Sequence, residues 1–170
     1  MTDARRRPTF AEAYDQHVWD VYGFLAYRLG RRQDAEDLTQ LTFERALRAW
    51  GRFDPQRAQP ATWLLAIARN VLIDHWRADR SAEQEQLDPD APGLPSEAIG
   101  ADLGLEPDLE RALLALSERD RELLALRYGA DLSGQQIAEV SDMSLAAVQQ
   151  SLSRSLRRLR EALEPSTAPG

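Results

Sequence analysis

The sequence predicts an all-α protein, with two small helical domains joined by a flexible acidic linker. Apolar residues recur at three- and four-residue spacing on both sides of the chain's middle, the period of helices with one buried face. Helix breakers crowd between them: Pro89, Pro92, Gly93, Pro95, Gly100 and Gly104 all fall within residues 81–106. Charge divides along the same boundaries. Residues 1–80 carry 13 Arg against 11 acids, residues 81–110 nine acids and no Arg, and residues 111–170 eight of each. The net charge of −7 therefore belongs to the middle segment, and two near-neutral modules flank it.

The first helix is expected over residues 9–29. Phe10, Tyr14, Val18, Val21, Leu25 and Leu29 form its inward stripe, Thr9 and Glu12 fit a capping box, and Gly30 ends it. A second helix is expected from about Asp34 to Trp50, with Leu38, Phe43, Ala46, Leu47 and Trp50 inward. Asp34, Glu36 and Asp37 lie in its first turn, where acids suit the helix dipole. The same acids could equally form a docking face for a basic partner.

Pro55 and Pro60 prevent residues 51–60 from continuing that helix. Arg52, Phe53, Arg57 and Gln59 lie in this turn, which could receive an unstacked base or be a surface turn anchored by Phe53. A third helix is expected from about Ala61 to Asp79. Leu64, Ile67, Ala68, Val71, Leu72 and Trp76 face inward, and Trp63 and His75 lie between the faces. Arg69, Asn70, Asp74, Arg77 and Arg80 face outward. Arg, Asn and aromatics on one helix suit phosphates and base edges. Local pairing of the Arg69–Asp74 kind would account for the same face without a ligand.

Residues 81–106 read as linker. Some 26 residues could span at most roughly 85–95 Å fully extended, but only about 25–30 Å as a free coil. The second module, residues 107–163, opens at Pro107, a good first-turn residue. Ser117 with Asp120 marks the next cap, for a helix running to about Tyr128 and ended by Gly129. Ser133 with Gln136 forms a capping box for a short helix, Ser141 to Met143 makes a tight turn, and Ser144 caps a final helix. There Leu145, Val148, Leu152, Leu156, Leu159 and Leu163 repeat as the inward stripe. Short helix, three-residue turn and second helix is helix-turn-helix spacing. In that geometry Ala146, Ala147, Gln149, Gln150 and Ser153 would face base edges, and Arg154, Arg157 and Arg158 phosphates. A small helical bundle with a polar outer face would show the same pattern. Residues 164–170 read as a disordered tail.

Several function classes are disfavoured. The chain has no Cys, which removes disulfides and Cys-based zinc sites and suits a reducing compartment. Two His without Cys argue against a metal site, and no cofactor is expected. No Gly-rich phosphate loop or nucleophile elbow is present, so catalysis is not expected. No apolar run reaches the ~20 residues of a membrane span. The Arg run at residues 5–7 has no apolar segment behind it, so it is no secretory signal. A cytoplasmic protein with no membrane contact of its own is expected. All 21 basic residues are Arg. Codon bias in a GC-rich genome and a preference for guanidinium at phosphates both fit.

Taken together, these segments resemble a bacterial sigma factor of the sigma-70 family, extracytoplasmic-function group. D-A-E-D-L-T-Q-L-T-F at 34–43 and W-L-L-A-I-A-R-N-V-L-I-D-H-W-R at 63–77 resemble region 2. L-S-E-R-D-R-E-L-L-A-L-R-Y at 116–128 resembles the start of region 4, and residues 132–152 its helix-turn-helix. The resemblance implies two domains, region 2 over residues 9–80 and region 4 over residues 107–163. It implies that Asp34, Glu36, Asp37, Leu38, Gln40 and Leu41 meet polymerase core, with the β′ and β subunits as partners. It further implies that Arg52, Phe53, Arg57, Gln59, Trp63, Arg69, Asn70, Asp74, Arg77 and Arg80 engage the −10 element. Gln135, Ser144, Ala146, Ala147, Gln149, Gln150, Ser153, Arg154, Arg157 and Arg158 would engage the −35 element. An anti-sigma factor is the expected regulator.

Three departures stand out. Leu41 replaces the family's usual Glu, Ala146-Ala147 replace the common Gly-Thr, and Gln149-Gln150-Ser151 replace the common Lys-Ser-Arg. The recognition helix loses charge where it should meet DNA, although Gln still pairs with adenine. An unusual −35 preference with weaker phosphate holding is therefore expected. The alternatives are a sigma-like protein with impaired −35 reading that acts mainly through protein partners, and a free helix-turn-helix repressor. The repressor leaves residues 34–80 unexplained.

Overall fold

The computed structural model describes residues 6–86 and 104–164. Most of the segment assigned to the linker, and the tail beyond Glu164, lie outside the described residues. Among the described residues the regular structure is helical. The α-helices are α1 (Phe10–Leu29), α2 (Arg32–Ala49), α3 (Pro60–Gln86), α4 (Pro107–Leu114), α5 (Glu118–Leu124), α6 (Gly134–Ser141) and α7 (Leu145–Leu163). A 3₁₀ turn, Trp50–Arg52, follows α2, and a π-turn, Ala125–Gly129, extends α5.

Local chemistry sets the helix ends. Thr9 Oγ accepts from the Glu12 N–H at 3.2 Å, and the Glu12 carboxylate accepts from the Thr9 N–H at 2.8 Å, the expected capping box. Gly30 closes α1 in the left-handed region at φ 68°, its N–H donating to Ala26 O. Ser117, Ser133 and Ser144 cap α5, α6 and α7 as the sequence predicts. Two boundaries differ. α2 begins at Arg32, two residues early, and α3 runs on through Ser81 to Gln86, past the expected end at Asp79. Residues 80–86 contain no Pro or Gly, so nothing local stops α3.

The two modules share one core. Val21, Phe24, Leu25, Leu64, Leu65 and Leu72 of the first pack with Leu123, Leu126, Ile137 and Val148 of the second. A smaller cluster, Leu113, Leu116 and Leu124, belongs to the second module alone. This packing explains departures from the expected stripes. Phe24 and Leu65 lie off the predicted stripes yet are fully buried, because α1 and α3 each bury a second face against the other module. Conversely, Tyr14, Leu47, Leu145, Leu156 and Leu163 are exposed although their spacing places them inward.

The seam between modules rests on two glycines. A Cβ on Gly23 of α1 would lie 2.0 Å from the carbonyl oxygen of Gly129, and one on Gly129 would lie 2.6 Å from that of Gly23. Only hydrogens at both positions allow this backbone approach. Beside it, the Arg28 side chain is 5% exposed. Its guanidinium lies 4.8 Å from the Trp76 ring centroid and donates to Glu118 at 2.6 Å. Arg121 also donates to Glu118, at 2.7 Å. Burial pushes Arg28 down from its ordinary pKa, with the Glu118 hydrogen bond and charge opposing. Burial alone would raise Glu118. The hydrogen bond and charge of Arg28, with Arg121 adding, outweigh it and hold the carboxyl below the usual range.

Candidate polymerase and nucleic-acid interfaces

The acidic helix α2 divides into two sides. Glu36, Asp37 and Gln40 are exposed, and Gln40 Nε2 donates to Glu44 at 3.3 Å. Asp34 is half-buried and 3.9 Å from Arg31. Leu38 is buried and Leu41 half-buried against the core. Leu41 is thus not an apolar residue standing on the charged face: it is turned toward the core, one helical turn from Leu38. The exposed side borders a groove of about 780 Å³ between α1 and α2. Tyr14, Trp19, Tyr22, Phe43 and Leu47 line it together with Glu36, Gln40 and Glu44. Trp19 is 75% exposed, and sequence reasoning missed it. The available signal was an aromatic side chain off the inward stripe of α1.

In the turn after α2, Phe53 is 3% exposed. It stacks on Trp50 at 4.8 Å and meets Trp63 at 5.2 Å, while Phe10 meets Trp50 at 5.6 Å. Phe53 therefore anchors the turn and offers no open face to a base. Arg52, Arg57 and Gln59 remain exposed around it, and Trp63 is half-buried.

Trp63, Asn70, Asp74 and Arg77 follow at seven-, four- and three-residue steps and so share a side of α3. Asn70, Arg77 and Arg80 are exposed. The expected Arg69–Asp74 type of pairing is replaced by two longer-range pairs. Asp74 accepts from Arg45 of α2 at 2.8 Å, and Arg69 Nε donates to Glu122 of α5 at 2.5 Å. Gln136 Nε2 of α6 donates to Gln59 at 2.7 Å. The second module thus occupies two residues of the candidate −10 surface.

Helices α6 and α7 meet through Asp142, which adopts a left-handed conformation at φ 54°, and Met143 N–H donates to Ala138 O. Ser144 Oγ accepts from Ala147 N–H at 3.1 Å, so this hydroxyl caps α7. Val148, Ser151 and Ser155 turn inward. Gln135, Ala146, Gln149, Gln150, Ser153, Arg154, Arg157 and Arg158 are exposed, and Ala147 is half-buried. Ser151 and Ser155 are buried on this side of α7, which the periodicity of the leucines did not convey.

Among the described residues no helix is long and apolar enough to cross a membrane. Comparison with known proteins is consistent along the chain. Residues 13–82 match the family Sigma-70 region 2, and residues 107–159 match Sigma-70, region 4. The ECF RNA polymerase sigma factor RpoE of Cereibacter sphaeroides is 31% identical over 95% of this chain and 90% of its own length. BldN of Streptomyces coelicolor, also an ECF RNA polymerase sigma factor, is 33% identical over 91% of this chain, which spans 60% of that relative. The fold is shared with the sigma factor RpoE solved in complex with the anti-sigma factor NepR from Bartonella quintana. That match has a TM-score of 0.69 at 23% identity and covers 92% of this chain and 98% of that one. CnrH in complex with the cytosolic domain of CnrY gives a TM-score of 0.62 at 24% identity, over 93% and 89% of the two chains.

Proposed function

The chain belongs to the sigma-70 family of RNA polymerase sigma factors, in its extracytoplasmic-function group, and is thus a promoter-specificity subunit rather than an enzyme; on that premise we propose how its modules divide the work. The exposed acids and amide of α2, Glu36, Asp37 and Gln40, dock on the coiled coil of the polymerase β′ subunit. The turn after α2 and the outer side of α3 engage the −10 element, with Asn70 and Arg77 toward bases and phosphates. The second module sits against the β subunit, and α7 reads the −35 element through Gln149 and Gln150, with Arg157 and Arg158 on phosphates. An anti-sigma factor restrains the chain; a sigma factor sharing its fold was solved in complex with the anti-sigma factor NepR. The reading is carried by the paired placement of these exposed polar faces, one on each of two modules that match regions 2 and 4 in order.

The two promoter elements lie roughly 60 Å apart. The described form holds α3 against α6 and pairs Arg69 with Glu122, so the modules must separate before both elements are read. Run-off transcription with core polymerase across a promoter library tests the reading. Promoter-dependent initiation is expected; no core binding and no promoter-dependent product would sink it. A second reading keeps core and anti-sigma binding but drops −35 recognition, and the uncharged start of α7 favours it. Initiation that depends on Gln149 and Gln150 excludes that alternative.

A further inference from the structure

Two buried guanidinium groups meet at the seam between the modules, and neither is fully satisfied. The side chain of Arg28 in α1 is 5% exposed and that of Arg121 in α5 is 15% exposed. Both donate to Glu118, Arg28 to Oε2 at 2.6 Å and Arg121 to Oε1 at 2.7 Å. The Nε of each is buried and finds no acceptor among the described residues. Glu122, one turn further along α5, is engaged by Arg69 at 2.5 Å. Three arginines thus share two carboxylates at the seam of a chain whose net charge is −7.

The two arginines bonded to Glu118 act in opposite directions. Arg28 crosses the seam, from α1 of the first module to α5 of the second. Trp76 lies on one side of its guanidinium, and Glu118 is its hydrogen-bond acceptor. Without the Glu118 charge, the closed form would bury the Arg28 cation uncompensated, a cost that opening relieves. Arg121 does not cross the seam. It lies three residues from Glu118 on the same helix, so its bond survives when the modules part and adds nothing to holding them. What Arg121 brings to the closed form is a second cation beside a buried one. Burial leads the effects that push Arg28 below its ordinary pKa, and the charge of Arg121 adds to them.

We propose that Arg121 keeps the seam poised to open: Glu118 ties the closed form to Arg28, and Arg121 holds that tie short of locking. Like charges and unmet donors buried in the closed form are standing costs, so the seam yields to a partner that prefers the modules apart. The consequence for polymerase rests on the proposed separation of the modules for promoter reading.

Two substitutions with opposite expected outcomes test this, each read by thermal melting of the free chain and by its affinity for core polymerase. Arg121→Met keeps an unbranched stem in place and removes the charge and the unmet donor. The bond it forfeits goes to a carboxylate that is 68% exposed, and such pairs contribute little. One buried unmet donor is equivalent to roughly tenfold in an equilibrium. Arg121→Met should therefore favour the closed form about tenfold: the chain melts higher yet binds core about tenfold more weakly. Glu118→Gln gives Arg28 a neutral acceptor and should do the reverse, melting lower and binding core up to about tenfold more tightly. Gly23→Ala, whose Cβ forces the glycine contact apart, is the control, and adding Arg121→Met to it should leave core affinity unchanged. Unchanged melting in both variants would overturn the proposal, as would stability and core affinity moving in the same direction. A loss of core affinity for Arg121→Met that persists in the Gly23→Ala chain would also overturn it, making Arg121 a polymerase contact. If melting shifts in the two expected directions while core affinity stays constant, the tie stands and the proposed separation of the modules fails.

Discussion

Replacing Gly23 with Ala should open the closed form without harming the first module. In the closed form the new Cβ would lie 2.0 Å from the Gly129 carbonyl oxygen. Ordinary carbon–oxygen contact begins near 3.4 Å, so α1 and the π-turn must part by roughly 1.4 Å, more than the gap that already forfeits a quarter to a half of the dispersion attraction. The obstacle is backbone, which cannot rotate aside as a side chain can. Overpacking of this kind costs about 2–3 kcal/mol, roughly a 30- to 150-fold shift toward the open form. Within α1 itself the change is favourable by about 1 kcal/mol, since Ala exceeds Gly in helix propensity. The chain lacks cysteine, so single cysteines at exposed Ala11 and Ser153 accept a dye pair cleanly. Energy transfer should fall in Gly23→Ala, while melting of the first module holds or rises. Promoter binding by holoenzyme should not change, because the proposed reading has the modules already apart there. Unchanged transfer with unchanged stability would refute the close glycine contact. Global unfolding would refute the separability of the modules.

Phe53→Ala should lower the stability of the first module by about 3–5 kcal/mol, the range for emptying a buried aromatic site, as read by denaturant melts. A fully stable variant with impaired promoter opening would instead make Phe53 a base-stacking surface. Glu118 has a folded pKa below its ordinary value of 4.5. Its contribution to the seam is therefore complete above pH 4.5 and lost as pH falls through the folded value. Energy transfer between the same dyes should be flat from pH 8 to 5 and decline below 4.5, and Glu118→Gln should remove that component of the decline. Gln149→Ala with Gln150→Ala should cost about 1–3 kcal/mol per base pair read at promoters that depend on the −35 element. Footprinting of promoters lacking that element should show little change.

What could be read from the sequence was local. Thr9 with Glu12, Ser133 with Gln136, Ser117, Ser144 and Gly30 each act within one helical turn, so spacing alone locates them. Most of the inward stripes were legible for the same reason, since a periodic pattern encodes one buried face. The seam was not legible. Phe24 and Leu65 are buried by residues far along the chain, and Gly23 looks like an ordinary weak point in a helix until Gly129 is placed against it. The candidate site shows the same split. Asn70, Arg77, Gln149 and Gln150 are exposed as expected, whereas the Arg69–Glu122 and Gln59–Gln136 contacts depend on the docking of one module on the other.

That docking bears on the proposed dependence of promoter recognition on polymerase. Glu122 pairs with Arg69 and Gln136 satisfies Gln59, so two residues of the candidate −10 surface are occupied in the closed form. A ligand that needs the open form binds with its intrinsic affinity reduced by the open fraction. If the closed form is favoured by about 3 kcal/mol, that fraction is below roughly 1%, and the free chain's affinity for promoter DNA drops more than 100-fold. The nine acids of residues 81–110 weaken encounter with DNA further. Core polymerase removes the penalty only by binding the open form more tightly, since a partner indifferent to the two forms shifts nothing. A substitution that loosens the seam should therefore raise DNA binding by the free chain while leaving the holoenzyme's unchanged. That asymmetry distinguishes a masked reading surface from a weak one.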